Sequence, residues 1–550
     1  MSRATSVLLS APVARPAAPA RWTSPWRPLA ALLAALLGLL VLGPPAYLAV
    51  QGAGLGLGEL AARWQELGIL AILGNVLLLA VLTTGFCLAT GVPLAWLVVR
   101  SDLPGRSLVR VLAPLPLALP PYIGAIVYQL IMAPGGILGG LAVRWLGLTP
   151  SAVASLIYGV WGAAWVLTLF MFPYVYLLAA AALERANPSL EEAARASGMT
   201  AGEVFWRVTL PLLRPALLGG SLMVFLYAWA DFGVVSLLRM RTLTTVIYDY
   251  VHGTMDWALP AGLSLLLTLI TALALLAQLR ILGRARYAQI TGSAKPARPV
   301  PLGRWRPAAL LFVALLLGAA LAVPLAVLGV QAGRLGAAGG LALLLEQGQF
   351  VLNSLWTAVG GATLIMGVAF IAAWVGRQGP GRLLLPLAQA GYAIPGTVLG
   401  LGMVGFFHAV LPWLYARPAV VVLGYLVLFL TPALQAVSAA LAQLDASLEE
   451  AARGLGRSPL QAFREVTLPL LRPGLLSGWI LVFILCMREL AATLILRPPG
   501  FDTLPVRVWI HTMDVGPEPA AAALALLLVA LVALPWLALV LLGRRMEVGA

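Results

Sequence analysis

Two stretches of this 550-residue sequence carry one polar pattern. Residues 191–215 read EEAARASGMTAGEVFWRVTLPLLRP, and residues 449–473 read EEAARGLGRSPLQAFREVTLPLLRP. They are identical at 15 of 25 positions at a constant offset of 258. The residue types suit recognition rather than bond-making. Ser189 can cap a helix whose first turn holds Glu191 and Glu192, where negative charge complements the macrodipole. Gly198 ends that helix, because glycine tolerates φ > 0. A second short helix puts Phe205 and Val208 on one face, and Leu210-Pro211 and Arg214-Pro215 stop it. Ser447, Glu449, Glu450, Gly456, Phe463, Val466, Pro469 and Pro473 repeat the set. Each copy is therefore expected to be a helix–turn–helix offering a compact surface to a partner.

The surroundings of both copies are apolar. Hydrophobic residues make up 61% of the chain and charged ones 10%, and the mean hydropathy is +0.97. A soluble protein carries roughly 25% charged residues. The apolar runs reach about 20 residues or more, long enough to cross a bilayer as helices. Backbone groups in lipid must be satisfied within the segment, so the expected fold is an all-α bundle. Twelve spans are expected, at 29–50, 69–99, 109–133, 152–182, 216–238, 258–281, 307–330, 350–376, 383–411, 418–442, 475–496 and 519–543. With both termini inside, inner segments hold 26 basic residues and outer loops hold 8. The positive-inside rule then puts both termini in the cytoplasm. The net charge of +15 is accordingly a topology signal and not a nucleic-acid footprint. Residues 1–28 read as a disordered tail and 283–306, basic and proline-containing, as a cytoplasmic linker. The linker separates a first half (29–282) from a second (307–543), with a short tail at 544–550.

Other constellations are thinner. A P-loop needs Gly-Lys-Ser/Thr, and the one lysine, Lys295, sits between Ala294 and Pro296. Cys87 and Cys486 lie in apolar runs and read as buried thiols. His252…Asp256 and His511…Asp514 supply one histidine and one aspartate per outer loop, too few donors for a metal. They suit contact with a partner or helix capping, and His408 reads as structural. Asp231, Arg488 and Glu489 fall near the outer ends of spans five and eleven. Such groups line a pathway or gate, or else snorkel or pair. Pro120-Pro121 and Ile394-Pro395-Gly396 interrupt spans three and nine, either exposing carbonyls beside a pathway or merely kinking a helix. Asn75 and Asn353 begin equivalent spans and could bridge helices. No convergent His/Asp/Glu set marks a catalytic site.

The loop pattern is similar to the "EAA loop" of ABC importer permeases. Here it is Glu192-Ala193-Ala194, Gly198, Val208 and Leu210-Pro211, then Glu450-Ala451-Ala452, Gly456, Val466 and Leu468-Pro469. The stretches LYAWADFGVVSLLRMRTLTTVIYDY (226–250) and CMRELAATLILRPPGFDTLPVRVW (486–509) resemble the fused permeases of the ferric-iron group, whose relatives carry thiamine, polyamines or phosphonates. That group commonly has Lys-Glu-Leu-Pro where this chain has Arg488-Glu489-Leu490-Ala491.

The resemblance implies a type I permease fold in two pseudo-symmetric halves, in a bacterial inner membrane. It implies that each loop docks on one of two ATPase subunits, which hold ATP and Mg, and that a periplasmic binding protein delivers the solute. The chain itself would carry no cofactor and catalyse no covalent step. Ferric iron is the first expectation for the solute. A secondary transporter is the rival class; it would want buried carboxylates or Asn/Ser clusters at mid-membrane, whereas the acidic residues here fall mostly in loops.

Overall fold

The computed structural model describes residues 27–54, 56–253, 257–284, 299–376, 384–516 and 518–548. The tail up to residue 26, the linker segment 285–298, Asp256, Arg377, Arg382 and the last two residues lie outside them. The described residues are helical apart from connections and one isolated bridge, Ser101 to Val300. Eleven of their helices are long and apolar enough to cross a membrane, or twelve if one bent pair counts as a single span.

Several expected spans differ in detail: 216–238 and 475–496 break after Ala230 and Met487, the helix expected from 350 begins at Gly336, and three more are interrupted. Residues 109–133 are broken into Arg106–Leu112, a 3-10 turn Leu115–Ala118, and Pro121–Met132. Pro114, Pro116, Pro120 and Pro121 lack the N–H donors that a continuous helix needs. Residues 152–182 divide at Gly159, with φ 103°, into Pro150–Ile157 and Val160–Arg185. In the ninth span, Leu385–Ala393 and Gly396–Val410 meet at 108° across Ile394-Pro395.

Each half is built on three mutually packed helices. In the first they are Ile69–Arg100, Val160–Arg185 and Leu210–Ala230, and in the second Gly336–Gly376, Pro418–Ala442 and Leu468–Met487. These helices are closely packed, and Phe170, Phe172, Tyr176 and Tyr425 on them are among the largest fully buried side chains.

The leading segment of each half crosses to the other. Arg27–Ala53 packs along Gly396–Val410, and Val323–Gly333 packs against Pro121–Met132. The first crossing needs glycine. A Cβ on Gly405 would lie 2.1 Å from Tyr47 Cε1, and one on Gly402 would lie 3.0 Å from the Pro44 carbonyl oxygen. Small residues let helix backbones approach this closely in lipid. On the other side the Tyr128 hydroxyl donates to the Ala319 carbonyl at 2.9 Å.

Candidate functional site

The two repeated loops fold alike, cap for cap. Pro188–Ala196 and Ala446–Gly454 are their first helices. The caps are Asn187 and Asp445, not Ser189 and Ser447 as expected. Each Oδ1 accepts the serine backbone N–H two residues on, at 3.0 Å. Asn and Asp reach this bond readily as an Asx turn, which leaves the serines inside the first helical turn. Gly198 and Gly456 follow with φ of 92° and 87°, and no atom lies within 4 Å of a Cβ placed on either. Conformation, not crowding, selects glycine there.

Reciprocal capping boxes start the second helices. Thr200 N–H donates to Glu203 Oε2 at 2.9 Å and Glu203 N–H to Thr200 Oγ1 at 3.4 Å. Ser458 and Gln461 do the same at 2.9 and 3.3 Å. The prolines do not stop these helices. Phe205–Thr209 and Phe463–Thr467 form π turns that run straight into Leu210–Ala230 and Leu468–Met487. Leu210 and Leu468 donate back five residues, to Phe205 and Phe463. The wider turn makes room for the rings of Pro211 and Pro469, which have no N–H to give.

Each turn is anchored on a tryptophan of the neighbouring helix. Phe205 meets Trp96 edge-on at 6.5 Å, and Phe463 meets Trp374 likewise at 5.5 Å. Glu192, Ala193, Glu450 and Ala451 are exposed, as are Leu190, Leu448 and Leu455; Ala194, Leu210, Pro211 and Leu468 are half-buried, and Ala452 is buried. Both loops thus present acidic and apolar groups together on an open face. One difference separates them. Glu191 is buried, 3.4 Å from Arg100, and accepts the Thr209 hydroxyl at 3.0 Å, whereas Glu449 is half-exposed.

Asp231 and Glu489 also occupy equivalent positions, 258 residues apart. Asp231 Oδ2 accepts the N–H groups of Val234 and Val235, starting the helix Gly233–Leu237. Glu489 accepts those of Ala492 and Thr493, starting Ala491–Leu496. A chain of hydroxyls extends from Glu489 through Thr493 to Tyr425, at 2.6 and 2.7 Å.

These short helices pack on the broken ones that begin at Pro121 and just after Pro395. A Cβ on Gly233 would lie 2.9 Å from Tyr122 Cβ, and one on Gly396 would lie 3.3 Å from Glu489 Oε1. Of the five residues read as pathway or gate positions, Pro121 and Asp231 in the first half and Pro395 and Glu489 in the second therefore stand at matching places, and Arg488 is the fifth. Arg488 has no partner by symmetry, since Ala230 stands at the equivalent position. It reaches across to the Leu117 carbonyl and lies among Tyr122, Tyr174 and Tyr227. Sequence reasoning missed these tyrosines; an aromatic in an apolar run carries no periodic signal that separates a buried polar role from a lipid-facing one.

The outer histidines are engaged separately. His252 Nδ1 meets the Tyr248 carbonyl at 3.0 Å, and His511 lies 3.7 Å from Glu518. Among the described residues no group of three or more His, Cys, Asp or Glu could hold a metal ion. Cys87 and Cys486 are free and buried. Asn353 donates to the Asp502 carbonyl at 2.9 Å, bridging helix to loop, whereas Asn75 is exposed. Trp509 Nε1 donates to Ser236 Oγ at 2.9 Å, joining the halves amid the rings of Phe232 and Tyr248.

The family described as "binding-protein-dependent transport system inner membrane component" matches residues 88–286 and again 365–548. An Fe(3+)-transport system permease protein of Haemophilus influenzae is 28% identical over 515 residues, 92% of this chain and 96% of that protein. A ferric transport system permease protein of Actinobacillus pleuropneumoniae is 25% identical over 410 residues, 70% of this chain and 59% of that protein. A molybdenum transport system permease protein of Escherichia coli is 29% identical over 173 residues, 30% of this chain and 73% of that protein.

Proposed function

This chain belongs to the family of binding-protein-dependent transport system inner membrane components, carrying its domain twice, and from that premise we propose that it is the membrane subunit of an ATP-driven importer of ferric iron. The observation that carries the reading is the pair of loops, equal in caps, glycine turn, π turn and aromatic anchor. Residues 29–282 and 307–543 form the two halves, joined by a cytoplasmic linker at 283–306, with cytoplasmic tails at 1–28 and 544–550.

Each loop docks on one of two ATPase subunits. These bind ATP and Mg, and their closure rocks the halves between outward- and inward-facing states. A periplasmic binding protein presents the solute at the outer face. Pro121, Asp231, Pro395, Arg488 and Glu489 border the pathway between the halves, and the chain performs no covalent chemistry. Resemblance along 92% of the chain to an Fe(3+)-transport permease favours ferric iron. Uptake of an oxyanion is the second reading. It is favoured by Arg488, which has no carboxylate within ion-pair distance among the described residues, and by the molybdenum relative.

The test is ATP hydrolysis by the assembled complex in lipid, with its binding protein loaded in turn with ferric iron, molybdate and thiamine. Stimulation by the ferric form alone supports the reading. Stimulation by molybdate alone replaces the solute, and failure of the chain to hold any ATPase overturns the importer.

A further inference from the structure

A groove of about 590 Å³ opens between the helices Gly336–Gly376 and Leu468–Met487, with Met366, Phe370, Leu475, Leu476 and Trp479 along its walls and Arg472 at one end. Its polar atoms are nearly all satisfied internally. Trp479 Nε1 donates to Thr363 Oγ1 at 3.1 Å, which leaves apolar walls and a single cation. Arg472 is exposed and has neither a hydrogen-bond nor an ion-pair partner among the described residues.

Depth in the membrane follows from helix geometry. Arg472 is one turn past Leu468, where the span emerges from the second repeated loop. Trp479 lies seven residues further along that helix, about 10 Å deeper, and its partner Thr363 lies seven residues before Phe370 on the antiparallel neighbour. A cation at headgroup depth at the mouth of an apolar slot is the chemistry that recognises an anionic lipid.

The first half supplies an internal comparison. Arg214 stands at the position of Arg472, but Ser221 replaces Trp479 at the same offset of 258. Trp96 and Trp374, which hold the two loops alike, set a second offset of 278, and by it Val92 replaces Phe370. Both aromatic walls are therefore particular to the second half.

We propose that this groove is a binding site for an anionic phospholipid, with an acyl chain between Phe370 and Trp479 and the phosphate on Arg472. The site is independent of which solute is carried. It bears on the helix that continues directly from the second repeated loop.

Native mass spectrometry of the full chain, with dioleoyl phosphatidylglycerol or dioleoyl phosphatidylcholine added, tests this. The expected result is a preference for phosphatidylglycerol of about fivefold, the effect of one basic residue at a membrane surface. Arg472→Gln should erase the preference while lipid still binds. Gly367→Phe should remove the bound lipid altogether; no atom lies within 4 Å of a Cβ there, so the ring fills the groove and not the core. An unchanged melting temperature confirms that fold. Arg214→Gln should behave as wild type. Equal effects of Arg214→Gln and Arg472→Gln, or no preference in the wild type, would mean annular lipid only and would overturn the site.

Discussion

Arg100 and Glu191 lie 3.4 Å apart with side chains only 4% and 6% exposed. The pair ties the first loop helix to the end of Ile69–Arg100. The same guanidinium donates to the Ala186 carbonyl at 3.3 Å, and the adjoining backbone bridges to Val300 at the end of the linker. The end of that helix thus holds the loop, the entry to that loop and the end of the linker.

Removing one partner of a buried ion pair costs about 3–5 kcal/mol, because the other charge is left uncompensated. Glu191→Ala should therefore loosen the first loop, raising amide exchange across 188–196. Glu449→Ala should change its own loop little, since Glu449 has no ion-pair partner among the described residues. Equal effects at the two sites would show that the ion pair is not what holds the first loop.

Gly198 and Gly456 sit in the left-handed region, where a β-branched side chain is strained by about 1–2 kcal/mol. Gly198→Val with Gly456→Val should leave the chain in the membrane and abolish its retention of ATPase on copurification. Each single variant should lose part of that retention. Full retention by the double variant would separate the turn from docking.

The two loop caps should respond differently to acid. The Ser447 N–H bond holds the Asp445 carboxyl below its ordinary range. A depressed folded-state pKa means that the cap is fully present above the unfolded value, near 4, and is lost as pH falls through the folded value. Asn187, which caps the first loop, does not titrate. Between about pH 5 and pH 2, amide protection at Ser447, measured against its intrinsic exchange rate at each pH, should fall more than at Ser189, and Asp445→Asn should abolish the difference.

Asp231 can be resolved into cap and charge. Asp231→Asn keeps an oxygen for the Val234 and Val235 N–H groups, whereas Asp231→Ala loses it at about 1 kcal/mol. If the carboxylate serves only the cap, uptake should survive the first change and fall in the second. Equal loss in both would assign the negative charge to the solute path.

The fold class and the paired loops were legible because polar patterns stand out against apolar runs, and because lipid admits few architectures. The caps were misplaced by two residues because Ser189 and Asn187 are both good cap formers, and only geometry decides between them. The prolines at 211 and 469 looked like stops because a π turn leaves no mark in composition. The pathway candidates were found as single ionisable or proline residues. Their assembly, and the tyrosines around Arg488, depend on long-range packing that no local spacing encodes. The groove at Arg472 depends likewise on the register between two antiparallel helices, which places Thr363 opposite Trp479.

The exchanged leading helices also bear on how the chain is made. Arg27–Ala53 leaves the ribosome more than 300 residues before Gly396–Val410, the partner whose glycines it needs. Ala258–Arg284, its packing partner in the same half, is made in that interval, but the face that meets Gly396–Val410 has its partner only once the second half exists. A single polypeptide fixes the ratio of the halves at one to one and keeps the waiting helix beside the site it will fill. Joined in one chain, the two halves complete this seam by an intramolecular closure and not by the meeting of two chains.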